Sequence, residues 1–96
     1  MKWKGNIQID GHSIQASIRL KMLDQTLLGE WSGTGVLPNN PEALAWLLDN
    51  QGKILDTDIG PISISRYYKS SEQLKINFHC AGAPIGKLLD DILLLK

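Results

Sequence analysis

"GEWSGTG" (residues 29–35) places three glycines and one tryptophan in seven positions. A phosphate-cradling loop needs bare backbone amides with a helix starting directly behind them, and in its best-known form a Lys-Ser or Lys-Thr pair follows. No such pair follows here, and "VLPNN" (36–40) separates the last glycine from the next helical pattern. The stretch reads instead as a strand. Period two puts Gly29, Trp31, Gly33 and Gly35 on one face and Glu30, Ser32, Thr34 and Val36 on the other. Glycine in a strand lets another backbone or a flat ring come close, and a large aromatic can cover neighbouring glycines where a sheet curves. The stretch therefore marks a sharply bent or barrel-closing strand with Trp31 packed inside. The alternative is a concave, ligand-facing surface lined by Trp31, Gly33 and Gly35.

Upstream, residues 2–9 alternate, with Trp3, Gly5, Ile7 and Ile9 on one face and Lys4, Asn6 and Gln8 on the other. Asp10-Gly11 then signals a tight hairpin, because a type I′ turn needs positive φ at both central residues. The second strand, 13–22, turns Ile14, Ala16, Ile18, Leu20 and Met22 inward. "LDQT" (23–26) reads as a turn and the third strand runs over 27–37.

Downstream the period changes. Asn40 suits a helix N-cap, Pro41 the first helical position and Glu42 the positive end of the helix. A short helix over 41–50 should bury Leu44, Leu47 and Leu48 and stop near Gly52. "KILDTD" (53–58), a Gly60-Pro61 break and "ISISRYY" (62–68) read as a second run of strands. After a turn at 69–72, "QLKINFHC" (73–80) points Leu74, Ile76, Phe78 and Cys80 inward. In the tail, 85–95, helical spacing gathers Ile85, Leu88, Leu89, Ile92 and Leu95 on one face, and a helix is favoured over a buried strand. Consecutive strands usually pair. The fold class is α+β and mostly β: about six antiparallel strands in a strongly curved sheet or small barrel, one helix at about 41–50 and a C-terminal helix. With 96 residues, 1–96 is expected to form one small domain.

Composition narrows the function. Ten basic and ten acidic residues balance, so the electrostatic excess that draws proteins to nucleic acid or anionic membrane is missing. No apolar run is long enough for a secretory signal or a membrane span, so no membrane partner is expected. The single cysteine, Cys80, forms no internal disulfide, and the expected location is the reducing cytoplasm.

No catalytic, cofactor or metal residues emerge. His79 and Cys80 are adjacent and point to opposite faces; a Cys80–His12 pair requires the fold to bring the two together. Asp56 and Asp58 fail as the start of a calcium loop, because Pro61 stands where the loop's glycine belongs and Tyr67 where its glutamate belongs. Arg66 breaks the pattern, sharing the face of Ile62 and Ile64. A bulge near Ser65, snorkelling at the sheet end or burial with a carboxylate would each explain it. One of Tyr67 and Tyr68 must point outward, and tyrosine beside arginine is typical of protein-binding hot spots. Trp46 lies toward the helix edge.

Two functions follow as expectations. The first is a small non-enzymatic protein-interaction module (an adaptor, inhibitor, assembly factor or subunit of a complex) binding another protein or itself through Arg66, Tyr67 and Trp46, with no cofactor and no nucleic acid. The second is a small-ligand-binding β-barrel protein, or a minor enzyme, with a pocket near Trp31.

Overall fold

The computed structural model of the chain describes residues 2–20 and 30–94. Six strands form one sheet: β1 (Lys2–Ile9), β2 (His12–Leu20), β3 (Trp31–Pro38), β4 (Ile54–Leu55), β5 (Ile62–Lys69) and β6 (Gln73–Cys80). Helix α1 (Pro41–Asn50) follows β3, and helix α2 (Gly86–Leu94) follows β6. The spatial order is β1-β2-β3-β6-β5-β4, every neighbouring pair is antiparallel, and the sheet curls into a half-barrel.

Each strand follows from its alternation. The β1–β2 connection is the two-residue turn that Asp10-Gly11 predicts, with φ of 49° and 81° and Ile9 paired to His12. Trp3, Ile7, Ile9, Ile14, Ala16, Ile18 and Leu20 are buried, as the period-two reading requires. Met22, the 23–26 turn and the 27–29 start of the expected third strand lie outside the described residues.

The described part of "GEWSGTG" is strand from Trp31 onward, with Glu30 just before it. Gly33 pairs with Ile18 on one side and Phe78 on the other. A Cβ on Gly33 would stand 2.5 Å from the Ser17 carbonyl oxygen and 2.9 Å from Phe78 Cζ. One on Gly35 would stand 2.6 Å from Ile14 Cγ2. The missing side chains thus let those of β2 and β6 close over β3, and this close approach goes with the curl. Trp31 is 1% exposed; its amide donates to Cys80 Sγ at 3.4 Å and its Nε1 to the Gly82 carbonyl at 3.1 Å.

The helices fill the concave side. Asn40 caps α1 by accepting from the Ala43 amide at 2.8 Å, and Pro41 opens the first turn. One part of the expected stripe is corrected: Ala43 and Leu47 are buried, Leu44 is partly so, and Leu48 is 53% exposed. Ala43 and Leu47, four residues apart, stand one above the other on the face turned to the sheet, and Leu48, one step further round, turns away. The 53–58 stretch is also mostly not strand. Only Ile54 and Leu55 pair, with Ser63 and Ile62, and Thr57 then organises a turn by donating to the Gly60 carbonyl at 2.7 Å and accepting from the Ile59 amide at 3.0 Å.

The tail is helical over Gly86–Leu94; Ile85, expected on its buried face, precedes the helix and is 48% exposed, and Leu95 lies outside the described residues. Leu88 and Ile92 enter the core. Around them a polar seam fastens α2 and the 57–60 turn to the outer edge of β1. Trp3 Nε1 donates to Asp91 at 2.6 Å, and the Gln8 amide donates to Asp58 at 3.0 Å. Lys87 donates to the Asn6 carbonyl and pairs with Asp58 at 3.7 Å. No helix among the described residues is long and apolar enough to cross a membrane.

Candidate interaction edge

The rule-breaking Arg66 leads to the site. Ile64 pairs with Phe78, and the next pair is Arg66 with Asn77, leaving Ser65 as an extra residue in β5. This is a bulge, the first of the three explanations open at the sequence level. Ser65 is held there by its own hydroxyl, which donates to the Asn77 carbonyl at 3.1 Å, and by Gln51 Nε2, which donates to the Ser65 carbonyl at 3.4 Å. The extra residue reverses the facing of everything after it. Arg66 turns to solvent. Tyr67 takes the core phase opposite Ile76 and packs, half-buried, against the core. Tyr68, opposite Lys75, is the outward tyrosine and is 54% exposed.

β5 is also nearly an edge strand. β4 covers only Ile62 and Ser63. Beyond them the Gly52 amide donates to the Ile64 carbonyl at 3.1 Å, and Gln51 reaches Ser65. From Arg66 to Lys69 no backbone partner lies on the side away from β6 among the described residues. Four residues of open edge span about 13 Å. Arg66, Tyr68 and Lys69 are exposed along it, and Arg66 and Lys69 have no ion-pair partner among the described residues.

Trp46 does not join this group. Its Nε1 donates to Asp10 at 3.0 Å and its ring lies 4.7 Å from that of His12. It pins the β1–β2 turn to α1, and β1 stands four strands from β5 in the sheet order.

The ligand-pocket residues separate too. Gly33 and Gly35 face space already filled by Ile14, Ile18, Ile76 and Phe78. A depression of about 530 Å³ does adjoin Trp31, but at the end of the sheet, lined by Arg19, Glu30, Ser32, His79 and Cys80. Cys80 sits at this end, whereas His12 begins β2 at the other, so the fold does not bring them together. Asp58 is engaged by Gln8 and Lys87. No group of three or more His, Cys, Asp or Glu side chains among the described residues is placed to hold a metal ion.

Sequence reasoning missed two features of the edge. Tyr68 as the exposed ring follows from the bulge once the bulge is chosen. The open edge had no signal, because strand periodicity reports faces and not neighbours. No protein-family model, curated protein or solved structure matches this chain.

Proposed function

We propose that this chain is a non-enzymatic, cytoplasmic protein-interaction module that takes an extended segment of another protein by strand addition along Arg66–Lys69. One observation carries this reading: the open edge left where β4 stops after two residues. An unpaired row of N–H and C=O groups is a template for a further strand. Exposed Tyr68 adds contact area at low conformational cost, and Arg66 adds a fixed fork of donors. The charges and the bulge also discourage pairing between two copies of this edge, since like charges across strands repel. Another protein is therefore favoured over self-association.

The test is photo-crosslinking in extract from the native source. A benzoylphenylalanine at position 68 is expected to capture a discrete partner, and the same group at Ser13 on the outer face of β2 is not. Equal capture at both positions, or none at 68, would remove the edge assignment.

A second reading, a small-ligand binder, rests on the depression beside Trp31, where Arg19 and Glu30 offer opposite charges. It predicts a change in Trp31 emission on ligand addition in a Trp3→Phe, Trp46→Phe background. Unchanged emission across a library of small polar metabolites would count against it.

A further inference from the structure

The balanced net charge hides a segregated one. The strands contain Lys2, Lys4, Arg19, Arg66, Lys69 and Lys75 and no aspartate or glutamate. The two helices contain Glu42, Asp49, Asp90 and Asp91 against Lys87 alone. The one ion pair among the described residues joins Lys87 to Asp58 and engages none of the strand cations. The open edge is part of this cationic surface. Arg66 and Lys69 lie in it, and Lys75 lies beside it, opposite Tyr68.

We infer that the segment added at Arg66–Lys69 alternates acidic and apolar residues. This rests on the strand-addition reading above. In an added strand, residues on the outer face stand about 5 Å from their β5 neighbours, and Arg66 and Tyr68 are those neighbours. Lys75 lies one strand further, about 10 Å away, which is near the Debye length at physiological salt. Acidic side chains on that face meet Arg66 directly and Lys75 at the limit of screening. Residues on the opposite face meet the half-buried ring of Tyr67, where aromatic and β-branched side chains pair well, and at the end of the strand the exposed Lys69, which shares that face. The occupant is therefore a short β-prone segment with carboxylates on one side and valine-like residues on the other.

The strand cations could instead attract nucleic acid, but Tyr68 and His79 are the aromatic rings exposed on the outer sheet face among the described residues, and they stand apart, His79 opposite Ser63 and Tyr68 opposite Lys75. Sequence-tolerant single-strand binding uses several stacking rings in succession. The acidic peptide is the better match.

The experiment titrates the isotopically labelled chain with three probes: a capped octapeptide alternating glutamate and valine, its lysine–valine counterpart, and an oligothymidylate. The glutamate peptide is expected to shift the amides of Arg66–Lys69 and slow their hydrogen exchange. The lysine peptide should not. Arg66→Glu should weaken the glutamate peptide by about tenfold, since attraction becomes repulsion, while Arg66→Lys retains most of the affinity. Because Arg66 is exposed, both variants should keep the wild-type circular dichroism. Equal binding of both peptides at the edge would overturn the acidic preference and leave strand addition standing. Failure of both peptides to reach these amides would overturn both readings. Tighter binding of oligothymidylate, with shifts spread over Lys2, Lys4 and Arg19, would replace the acidic segment with nucleic acid.

Discussion

Replacing Gly33 by alanine tests the origin of the sheet's curl. Gly33 is not among the glycines with positive φ, which among the described residues are Gly11, Gly52, Gly60 and Gly86. Alanine can therefore adopt the backbone found here, and restricting the unfolded chain alone would stabilise the protein by about 0.4–1 kcal/mol. The new methyl, however, would sit 2.5 Å from the Ser17 carbonyl oxygen, 2.9 Å from Phe78 Cζ and 3.0 Å from Ile18 Cγ1. The first of these is backbone of the neighbouring strand and cannot rotate away. Relief requires β2 to move off β3 by several tenths of an ångström while Phe78 and Ile18, both buried, repack. Such overpacking costs about 1–3 kcal/mol, and a clash with fixed backbone puts this one at about 2–3 kcal/mol, so the net expectation is a loss of about 1–2.5 kcal/mol after the entropic gain is subtracted. For a domain of this size that lowers Tm by roughly 5–15 °C. Gly33→Val adds two further methyls to the same space and should lose more. Urea unfolding followed by far-UV circular dichroism reads both losses as shifts of the midpoint at constant slope. A Gly33→Ala protein as stable as the wild type would mean that β2 and β6 do not close over β3, and the account of the curvature would fail.

The bulge makes an asymmetric prediction about two adjacent tyrosines. Tyr67→Ala should destabilise by about 2–3 kcal/mol through lost core packing, whereas Tyr68→Ala should stay within about 0.5 kcal/mol; the reverse order in urea melts would place the bulge elsewhere. At the seam between α2 and β1, Asp91→Ala removes the acceptor of the buried Trp3 indole and should cost about 1–2 kcal/mol. Asp90→Ala, on the exposed side of the same helix, should be neutral, and equal effects in thermal melts would show that the Trp3–Asp91 bond does not fasten the helix.

Local signals in the sequence carried most of the fold. Asp10-Gly11 specifies its turn by its own backbone preferences, and Asn40-Pro41-Glu42 announces a helix start whose cap forms as expected. Arg66 pointed to a bulge by violating an otherwise regular alternation. What stayed illegible was relational. Nothing in the alternation of 31–38 or 73–80 says that β3 and β6 lie side by side, because period two encodes a buried face and not a neighbour. The exposure of Leu48 depends on how α1 is rotated over the sheet, which leucine spacing leaves free. Trp3 and Asp91, at opposite ends of the chain, meet only because the sheet curls. The segregation of charge had a sequence signal that a whole-chain balance concealed: counted element by element, the strands are wholly cationic. Of the surface residues named from the sequence, Arg66 lies exposed on the open edge, Tyr67 packs half-buried with Tyr68 as the exposed ring beside it, and Trp46 bonds Asp10 at the β1–β2 turn.

The seam along β1 sets a limit on growth. Its Asn6 carbonyl and Gln8 amide are already occupied by Lys87 and Asp58, so this margin of the molecule offers an incoming ribbon little to grip. On the strand-addition proposal, a segment docked on the far margin meets a border already occupied at Asn6 and Gln8 on the next molecule, so the expected valency for such segments is one and recognition is expected to end in a closed pair rather than a lengthening cross-β stack.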